Sequence, residues 1–266
     1  MRDAETVRFL QWALPRLRMR WRGFRRVRGQ VGKRLRRRLG EQGLADLDAY
    51  RQRLESDDAE WAVLDGLCRI TISRFGRDRA MWDGLRAELA SRNEVRAWCA
   101  GCASGEEPYS LALTTRELGV PVRIVATDAD AHLLERARIG RYPAGSLREL
   151  DPDVIAASFR EDGDSFVLDP ALHGTIDWRC EDLRETMPAG PFDLILCRNL
   201  VFTYHDEERQ RELLSRMLRR LTSDGILGVG THEVPPSDEL ETVSACLYRR
   251  RSASERDRHG DEIHLR

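Results

Sequence analysis

Two cysteines and two glutamates fall within nine residues in the stretch WCAGCASGEEPYSLAL, residues 98–113. A C-x-x-C pair between a strand and a helix is the local setting of a redox dithiol, and it is also half of a common zinc site. No second pair and no nearby histidine accompany Cys99 and Cys102, which argues against zinc. Glu106 and Glu107 would raise the thiol pKa, whereas a redox thiol needs a lowered pKa. The sequence therefore favours the cysteines as small fillers at a strand end.

The same stretch has the features of a cofactor loop. Gly101 and Gly105 flank a tight turn in which the backbone can approach a ligand. Pro108 suits the first turn of the helix that follows. The next predicted strand ends in Asp128, about twenty residues further on, where ribose hydroxyls are bound in a nucleotide-type α/β site. The structural alternative is a turn followed by a capping aspartate.

A cofactor loop of this kind needs alternating strands and helices, and the sequence supplies them after residue 88. The apolar runs EVRAWCAG, VRIVATDAD, PFDLILCRN and GILGVGTHE are predicted strands with helical segments between them. PFDLILC is typical of a parallel strand buried on both faces. We therefore predict an α/β fold with a doubly wound sheet over residues 89–250. Residues 141–180 exceed a simple crossover and contain strand-like pieces such as DSFVLD, so we predict a small β excursion there.

Residues 1–88 are predicted to form an all-helical domain. From Pro15 to Leu39 apolar residues recur every three or four positions, which predicts one amphipathic helix of about six turns, stopped by Gly40. Arginines occupy its outer face. Residues 1–40 contain fourteen Arg or Lys against two acids, a charge of +12, although the whole chain carries −1. Such an asymmetry suits an acidic partner.

Composition argues against several other classes of protein. The sequence has no apolar run of about 18 residues and no secretory signal, so we expect no membrane insertion. Six dispersed cysteines in 266 residues favour a reducing, cytoplasmic compartment. No metal site is expected. The charged tail, residues 251–266, has few apolar residues and is expected to be frayed.

Four segments, in order along the chain, resemble motifs of the CheR-type chemotaxis receptor methyltransferases. ISRFGRD resembles the family's T-x-F-F-R-D/E, and the stretch described first resembles its cofactor loop, A-G-C-S-T-G-E-E-P-Y-S. GPFDLILCRNLVFTYHD resembles P-F-D-x-I-x-C-R-N-x-x-x-Y-F, and LTSDGILGVGTHE resembles L-x-P-G-G-x-L-x-x-G-x-x-E. The resemblance spans about residues 20–250 and identifies the chain as a divergent member. It implies a Rossmann-like class I S-adenosylmethionine methyltransferase sheet with a helical N-terminal domain and a small β-subdomain.

The resemblance also implies the site residues. Arg77 and Tyr204 match the catalytic positions. The cofactor S-adenosylmethionine, whose product is S-adenosylhomocysteine, is matched with Thr71, Ser73, Arg77, Gly101, Glu107, Asp128, Asp182, Leu183, Arg198 and Asn199. In the family pattern, Glu107 suits the ammonium of the cofactor and Asp128 its ribose, while Asp182 and Leu183 fall where the adenine edge is read.

The family methylates glutamate carboxylates on receptor helices. A carboxylate is already nucleophilic at neutral pH, so this reaction requires no general base. The predicted function is therefore carboxyl methylation of a protein such as a chemoreceptor, with the acidic acceptor docked near the arginine-rich helix.

Three alternatives to this function remain open. The acceptor could be a small acid, or the chain could be a non-catalytic S-adenosylmethionine-binding signalling module. Gly76 in place of the family's Phe, and one residue inserted before Tyr204, favour the module. The joint presence of Arg77, Glu107 and Asp128 favours an enzyme. Nucleic-acid binding by the basic helix is the third alternative, which no recognised nucleic-acid module supports.

Overall fold

The structure is a computed structural model that describes residues 3–251, and the chain divides into two compact units. The helical unit comprises the chain up to Thr71 together with Thr203–Gln210. The sheet unit comprises Ile72–Phe202 and the chain from Arg211 onwards. Residues 252–266 of the predicted tail lie outside the described residues. Within the described range, no helix combines the length and apolar character needed to cross a bilayer.

Helices form the first part of the helical unit: α1 (Asp3–Ala13), a 3₁₀ turn (Leu14–Leu17), α2 (Trp21–Phe24), α3 (Arg28–Glu41), α4 (Leu47–Ser56) and α5 (Asp58–Cys68). The side chain of Asp46 caps α4 by accepting from the N–H of Ala49 at 2.9 Å, and Asp57 caps α5 in the same way. Phe24, Leu35 and Tyr50 are fully buried in the core of this unit.

The prediction of one continuous helix from Pro15 to Leu39 is wrong. Arg18 adopts a left-handed conformation (φ 55°), and Arg20 is extended. Met19 forms a β-bridge with His205, and the N–H of Arg20 donates to the carbonyl of Tyr204 at 2.8 Å. The returning segment Thr203–Gln210 therefore takes up backbone hydrogen bonds that a continuous helix would have made internally.

The first part of the sheet unit alternates helices and strands: α6 (Arg79–Leu89), β1 (Val95–Ala100), α7 (Glu106–Leu118), β2 (Val122–Asp128), α8 (Ala131–Ile139), β3 (Arg141–Pro143), α9 (Ala144–Leu147), α10 (Pro152–Ser158), β4 (Phe159–Asp162), β5 (Ser165–Leu168), a 3₁₀ turn (Pro170–Thr175) and β6 (Ile176–Cys180). Later in the chain lie β7 (Phe192–Leu196), α11 (Val201–Tyr204), α12 (Glu207–Leu218), β8 (Leu221–Gly228), β9 (Leu240–Ser244) and β10 (Leu247–Arg250).

The main sheet has the order β6-β2-β1-β7-β8-β10-β9 among the described residues. Its first five strands are parallel, and β10 runs antiparallel to both of its neighbours. This mixed sheet with helices confirms the predicted Rossmann-like α/β fold. Because the carboxyl ends of parallel strands meet at one edge, the loops after β1, β2, β7 and β8 share that edge, which is where ligands bind in such sheets.

The predicted β excursion is a three-stranded antiparallel sheet with β5 between β3 and β4. Its predicted end at residue 180 is too late, because β6 pairs with β2 in the main sheet. The helical unit also ends before the predicted boundary at residue 88. The difference arises because α6 buries Met81, Trp82 and Leu85 in the same core as β1.

Candidate functional site

The loop after β1 is a tight turn with little steric bulk. Gly101 and Gly105 have positive φ angles of 73° and 92°. A Cβ atom at Gly105 would lie 2.8 Å from the Cβ of Ala137 and 3.0 Å from the Trp178 ring, closer than packed atoms allow. Only a residue without a side chain fits there, so Gly105 lets the loop pack closely against Ala137 and Trp178.

Asp128 ends β2 and holds this loop. Its Oδ2 accepts from the N–H of Ala103, and its Oδ1 accepts from the N–H of Asp130, both at 2.9 Å. Each carboxylate oxygen can accept more than one hydrogen bond. The turn-stabilising role that the sequence offered for Asp128 is therefore present, and its contact with the ribose stays a prediction.

Arg198, which follows β7, lies at the centre of a buried charged cluster. Its side chain is 4 % exposed. Nη1 donates to Oε2 of Glu107 at 3.1 Å, and Nη2 donates to Oδ2 of Asp78 and to the carbonyl of Arg77, both at 2.7 Å. Its buried Nε has no hydrogen-bond partner among residues 3–251. Arg198 therefore joins the first turn of α7 to the segment that carries Arg77.

The cluster changes the ionisation of its carboxylates. Burial raises the pKa of Glu107, an effect that Arg198 opposes and the nearby charge of Glu233 adds to. Burial also acts to raise the pKa of Asp78, but attraction to Arg198 and a hydrogen bond from Thr231 outweigh it, so that pKa is lowered. Arg198 thus favours the charged form of both carboxylates, and this outweighs burial for Asp78 but not for Glu107.

Two members of the cluster region were missed as site residues in the sequence. Asp78 follows the predicted catalytic Arg77, and Glu233 accepts from the N–H of Asn199 at 2.8 Å through a side chain that is 4 % exposed. Asp78 ends the motif R-D/E and Glu233 ends the motif G-x-x-E, and both motifs were matched, so the sequence contained the information needed to choose these two residues. Nothing in the motifs indicated which backbone atoms these carboxylates would contact.

Arg77 and Ser73 lie in the segment that leads into α6. The guanidinium of Arg77 donates a long hydrogen bond to the carbonyl of Ile72 at 3.4 Å, and it has no ion pair within 4.0 Å among residues 3–251. The hydroxyl of Ser73 donates to the buried carboxylate of Glu106, which also accepts from Ser104 at 2.9 Å. Thr71 is the last residue of the helical unit before this segment.

The remaining predicted site residues are Asp182, Leu183 and Tyr204. Asp182 follows β6, accepts from the N–H of Arg184 at 3.0 Å and pairs with its guanidinium at 2.6 Å. Leu183 is buried in an apolar cluster with residues such as Trp98 and Met187. Tyr204 belongs to the helical unit, where its ring lies 5.0 Å from that of Phe24 and is 9 % exposed. Its catalytic role stays a prediction.

The cysteines of the C-x-x-C pair are buried. Burial raises the pKa of both Cys99 and Cys102 well above the ordinary value of 9.0, and nearby carboxylates add to the effect. A protonated thiol is a poor nucleophile. In the described part of the chain, no group of three or more His, Cys, Asp or Glu residues is placed to hold a metal ion.

Gly76, where the resemblance implies a bulky Phe, lies on the wall of a cavity of about 990 Å³. The cavity lies between α6, α7 and α10. The backbone of Gly76 has a φ of +62°, a conformation that suits glycine. A Cβ at this position would lie 3.3 Å from the carbonyl oxygen of Glu149. The chain around residue 149 therefore approaches the backbone where a large side chain would have projected.

The donor set fits S-adenosylmethionine. Glu107 can bind an ammonium, Asp128 can accept from hydroxyls, and Arg77 with the orphaned Nε of Arg198 can bind a carboxylate.

Comparison with known proteins agrees with this geometry. Residues 72–248 match the family model described as CheR methyltransferase, SAM binding domain, and the match begins at the first residue of the sheet unit.

This chain belongs to the CheR methyltransferase family. It is an S-adenosylmethionine-dependent methyltransferase. A chemotaxis protein methyltransferase of Listeria monocytogenes is 36 % identical over 194 residues, covering 68 % of this chain and 73 % of that protein. One from Escherichia coli is 34 % identical over 220 residues, covering 77 % and 76 %. Chemotaxis protein methyltransferase 2 of Pseudomonas aeruginosa is 32 % identical over 235 residues, covering 82 % and 83 %.

Proposed function

We propose that this CheR-family enzyme methylates a carboxylate, on a glutamate side chain of a protein acceptor such as a chemoreceptor, in the cytoplasm. The observation that carries the proposal is the guanidinium of Arg77, which has no ion pair among the described residues although the main chain of Arg77 contacts the charged cluster around Arg198. The names of the relatives, chemotaxis protein methyltransferases, support a receptor-linked acceptor. All six cysteines are free, which agrees with a reducing compartment.

The main task of the protein in this reaction is to position the acceptor carboxylate against the methyl group. When bound, S-adenosylmethionine supplies a methyl group that a carboxylate oxygen can displace from sulfur, leaving S-adenosylhomocysteine. Arg77 binds and orients the acceptor carboxylate through charge-assisted hydrogen bonds. Its main chain is held in place because Arg198 donates to its carbonyl at 2.7 Å. Since the nucleophile is already ionised at neutral pH, no side chain has to remove a proton.

We propose further that the basic face of the helical unit binds the acidic acceptor. The segment from α2 to α3 exposes basic side chains: Arg22 in α2, Arg25 and Arg26 in the turn that follows, and Lys33, Arg36 and Arg37 in α3. Like charges gathered on one face attract an acidic segment and raise its rate of encounter. This surface suits a protein carrying several carboxylates better than a small monovalent acid.

Arg77→Ala tests the assignment of the acceptor group. We expect methyl transfer to fall about a hundredfold or more, because one charge-assisted contact to the reacting group is lost. Label transferred from methyl-labelled S-adenosylmethionine to an extract should be released as methanol by mild base, which identifies a carboxyl ester. Arg79→Ala, an exposed arginine two positions away, is the matched control. Label that resists base would overturn the carboxylate assignment, and label in the small-molecule fraction would overturn the protein acceptor.

The basic face is tested by Lys33→Glu combined with Arg36→Glu. We expect the KM for the protein acceptor to rise about tenfold at low salt, with the calorimetric affinity for S-adenosylmethionine unchanged. The difference from wild type should shrink as ionic strength increases. Reversal of Arg123 and Arg179, exposed on the sheet unit, supplies a control of equal charge change. An equal effect of both pairs would show that net charge, and not this face, is responsible.

A further inference from the structure

Glu233 links the turn after β7 to the turn after β8. Its Oε2 accepts from the N–H of Asn199 at 2.8 Å and from the N–H of Gly230 at 2.6 Å. The N–H of Glu233 in turn donates to the carbonyl of Gly230 at 2.9 Å. One buried carboxylate oxygen therefore fixes backbone atoms in two loops at the ligand-binding edge of the sheet.

Asn199 adopts a turn conformation. Its φ is +54°, in the left-handed region, which asparagine tolerates better than most residues with a side chain. The residue immediately before it is Arg198, whose guanidinium contacts Glu107 and Asp78. The direction of the Arg198 side chain depends on the turn, and the hydrogen bond from Asn199 to Glu233 holds that turn.

Gly230 closes the link from the other side. A Cβ atom there would lie 2.5 Å from Nδ2 of Asn199 and 2.8 Å from Oε2 of Glu233. Both distances are shorter than packed atoms allow, so a side chain at residue 230 would displace the side chains of Asn199 and Glu233. The hydrogen bonds of the Glu233 carboxylate thus depend on a glycine at residue 230.

We propose that Glu233 is a positioning residue of the cofactor site, acting through Asn199 on Arg198. It accepts the buried N–H of Gly230 and the part-buried N–H of Asn199, and it thereby keeps Arg198 directed at Glu107. The inference rests on S-adenosylmethionine binding by this family and is independent of which acceptor is methylated.

Glu233→Ala and Glu233→Gln separate hydrogen bonding from charge. Alanine leaves the two N–H donors unpaired, so we expect the calorimetric Kd for S-adenosylmethionine and for S-adenosylhomocysteine to rise about tenfold to a hundredfold. Glutamine keeps an oxygen that can accept both N–H groups, so it should stay within about threefold of wild type. Glu239→Gln, an exposed position on the same loop, controls for loss of charge.

Two outcomes would overturn the proposal. If Glu233→Ala binds both ligands as wild type does while its Tm falls, the carboxylate serves stability alone. If Glu233→Gln binds as weakly as Glu233→Ala, the negative charge and not the hydrogen-bond geometry is what the site uses.

Gly230→Ala keeps the proposal testable if Glu233→Ala does not fold. It leaves Glu233 in place and disturbs the same link by steric contact, so we expect a similar loss of S-adenosylmethionine affinity. Gly145→Ala is the matched control, since a Cβ there meets no atom within 4 Å. Unchanged affinity in Gly230→Ala would contradict the proposal.

Discussion

Nη1 of Arg198 lies 3.1 Å from Oε2 of Glu107, and the two side chains are only 4 % and 12 % exposed. The pair joins the turn after β7 to the first turn of α7. Burying two charges is costly, and removing one partner of such a pair is costlier than the pair itself is stabilising. The ion pair, which lies at the predicted cofactor site, should therefore tolerate little change in either residue.

We expect Arg198→Lys to weaken S-adenosylmethionine binding about tenfold and to destabilise the fold by about 1–3 kcal/mol. A lysine ammonium keeps the charge but lacks the planar fork that reaches Glu107, Asp78 and the carbonyl of Arg77 together. Calorimetry and thermal unfolding measure the two effects. Arg86→Lys, whose ion pairs are with the exposed Asp83 and Glu117, should change neither. Wild-type affinity in Arg198→Lys would show that a single contact suffices.

Gly105→Ala tests the close approach in the cofactor loop. Gly119 has a similar positive φ of 68°, but a Cβ there meets nothing within 4 Å. Gly119→Ala should therefore cost about 1 kcal/mol from backbone strain alone. Gly105→Ala adds contacts with Ala137 and Trp178 and should cost about 1–3 kcal/mol more by urea unfolding. Equal losses in the two variants would show that the loop can relax around the added methyl.

Native thiol reactivity should follow burial. Cys180 is exposed, whereas Cys99 and Cys102 are buried with strongly raised pKa values. We expect iodoacetamide at pH 8 to label Cys180 rapidly and to reach Cys99 and Cys102 only after unfolding. Mass spectrometry of the labelled peptides measures this. Labelling of either residue of the C-x-x-C pair in the native protein would revive the dithiol alternative.

Glu106 should make stability fall as pH rises. Burial raises its pKa above the ordinary 4.5, against hydrogen bonds from the backbone, Ser104 and Ser73. The folded state therefore binds this proton more tightly than the unfolded chain, and that contribution is lost as pH increases from 4.5 through the raised folded pKa. Glu106→Gln should gain stability relative to wild type over the same range, measured as Tm at several pH values.

Glu60 provides the opposite case for comparison. A hydrogen bond from Arg38 lowers its pKa below 4.5, although burial opposes this. Its contribution is present above pH 4.5 and is lost as pH falls through the lowered folded pKa. Glu60→Gln should thus be less stable than wild type at neutral pH and approach it in acid. If the difference in Tm between variant and wild type changed with pH in the same direction for Glu106→Gln and Glu60→Gln, the opposite pKa shifts given to the two glutamates would be wrong.

Two substitutions separate the roles of Tyr204. The ring is buried against Phe24, so Tyr204→Ala should cost about 3–5 kcal/mol of stability. Tyr204→Phe preserves the ring and removes the hydroxyl. A tenfold or greater fall in kcat with an unchanged Tm is expected if the hydroxyl contacts the reacting carboxylate. Unchanged kcat in Tyr204→Phe would leave the residue with a packing role only.

The sheet was predictable from the sequence where strands are buried on both faces. The four apolar runs correspond to β1, β2, β7 and β8, which occupy the middle of the sheet. β6 was assigned to the excursion because it is an edge strand with polar, partly exposed residues, TIDWRC, and so lacks the apolar run. The division of the chain was also misjudged, since the sequence of α6 predicts a helix without indicating which core its apolar face joins.

The break in the N-terminal helix and the contacts of the site share one cause. Apolar spacing is continuous from Pro15 to Leu39, but Met19 pairs with His205, far along the chain. Motif matching likewise predicted Arg198 and Glu107 as separate cofactor contacts, whereas their ion pair joins residues 91 positions apart. Local patterns report local preferences, and partners brought in by tertiary structure override them.

The helical unit is completed by Thr203–Gln210, a segment made long after Thr71. At 5–20 residues per second, the ribosome needs on the order of 10 s to make the roughly 130 residues between them. During that time Met19 lacks its β-bridge and Phe24 lacks the ring of Tyr204. The N-terminal helices therefore emerge first but finish folding late, and a nascent chain stalled before residue 203 should expose their apolar core to chaperones.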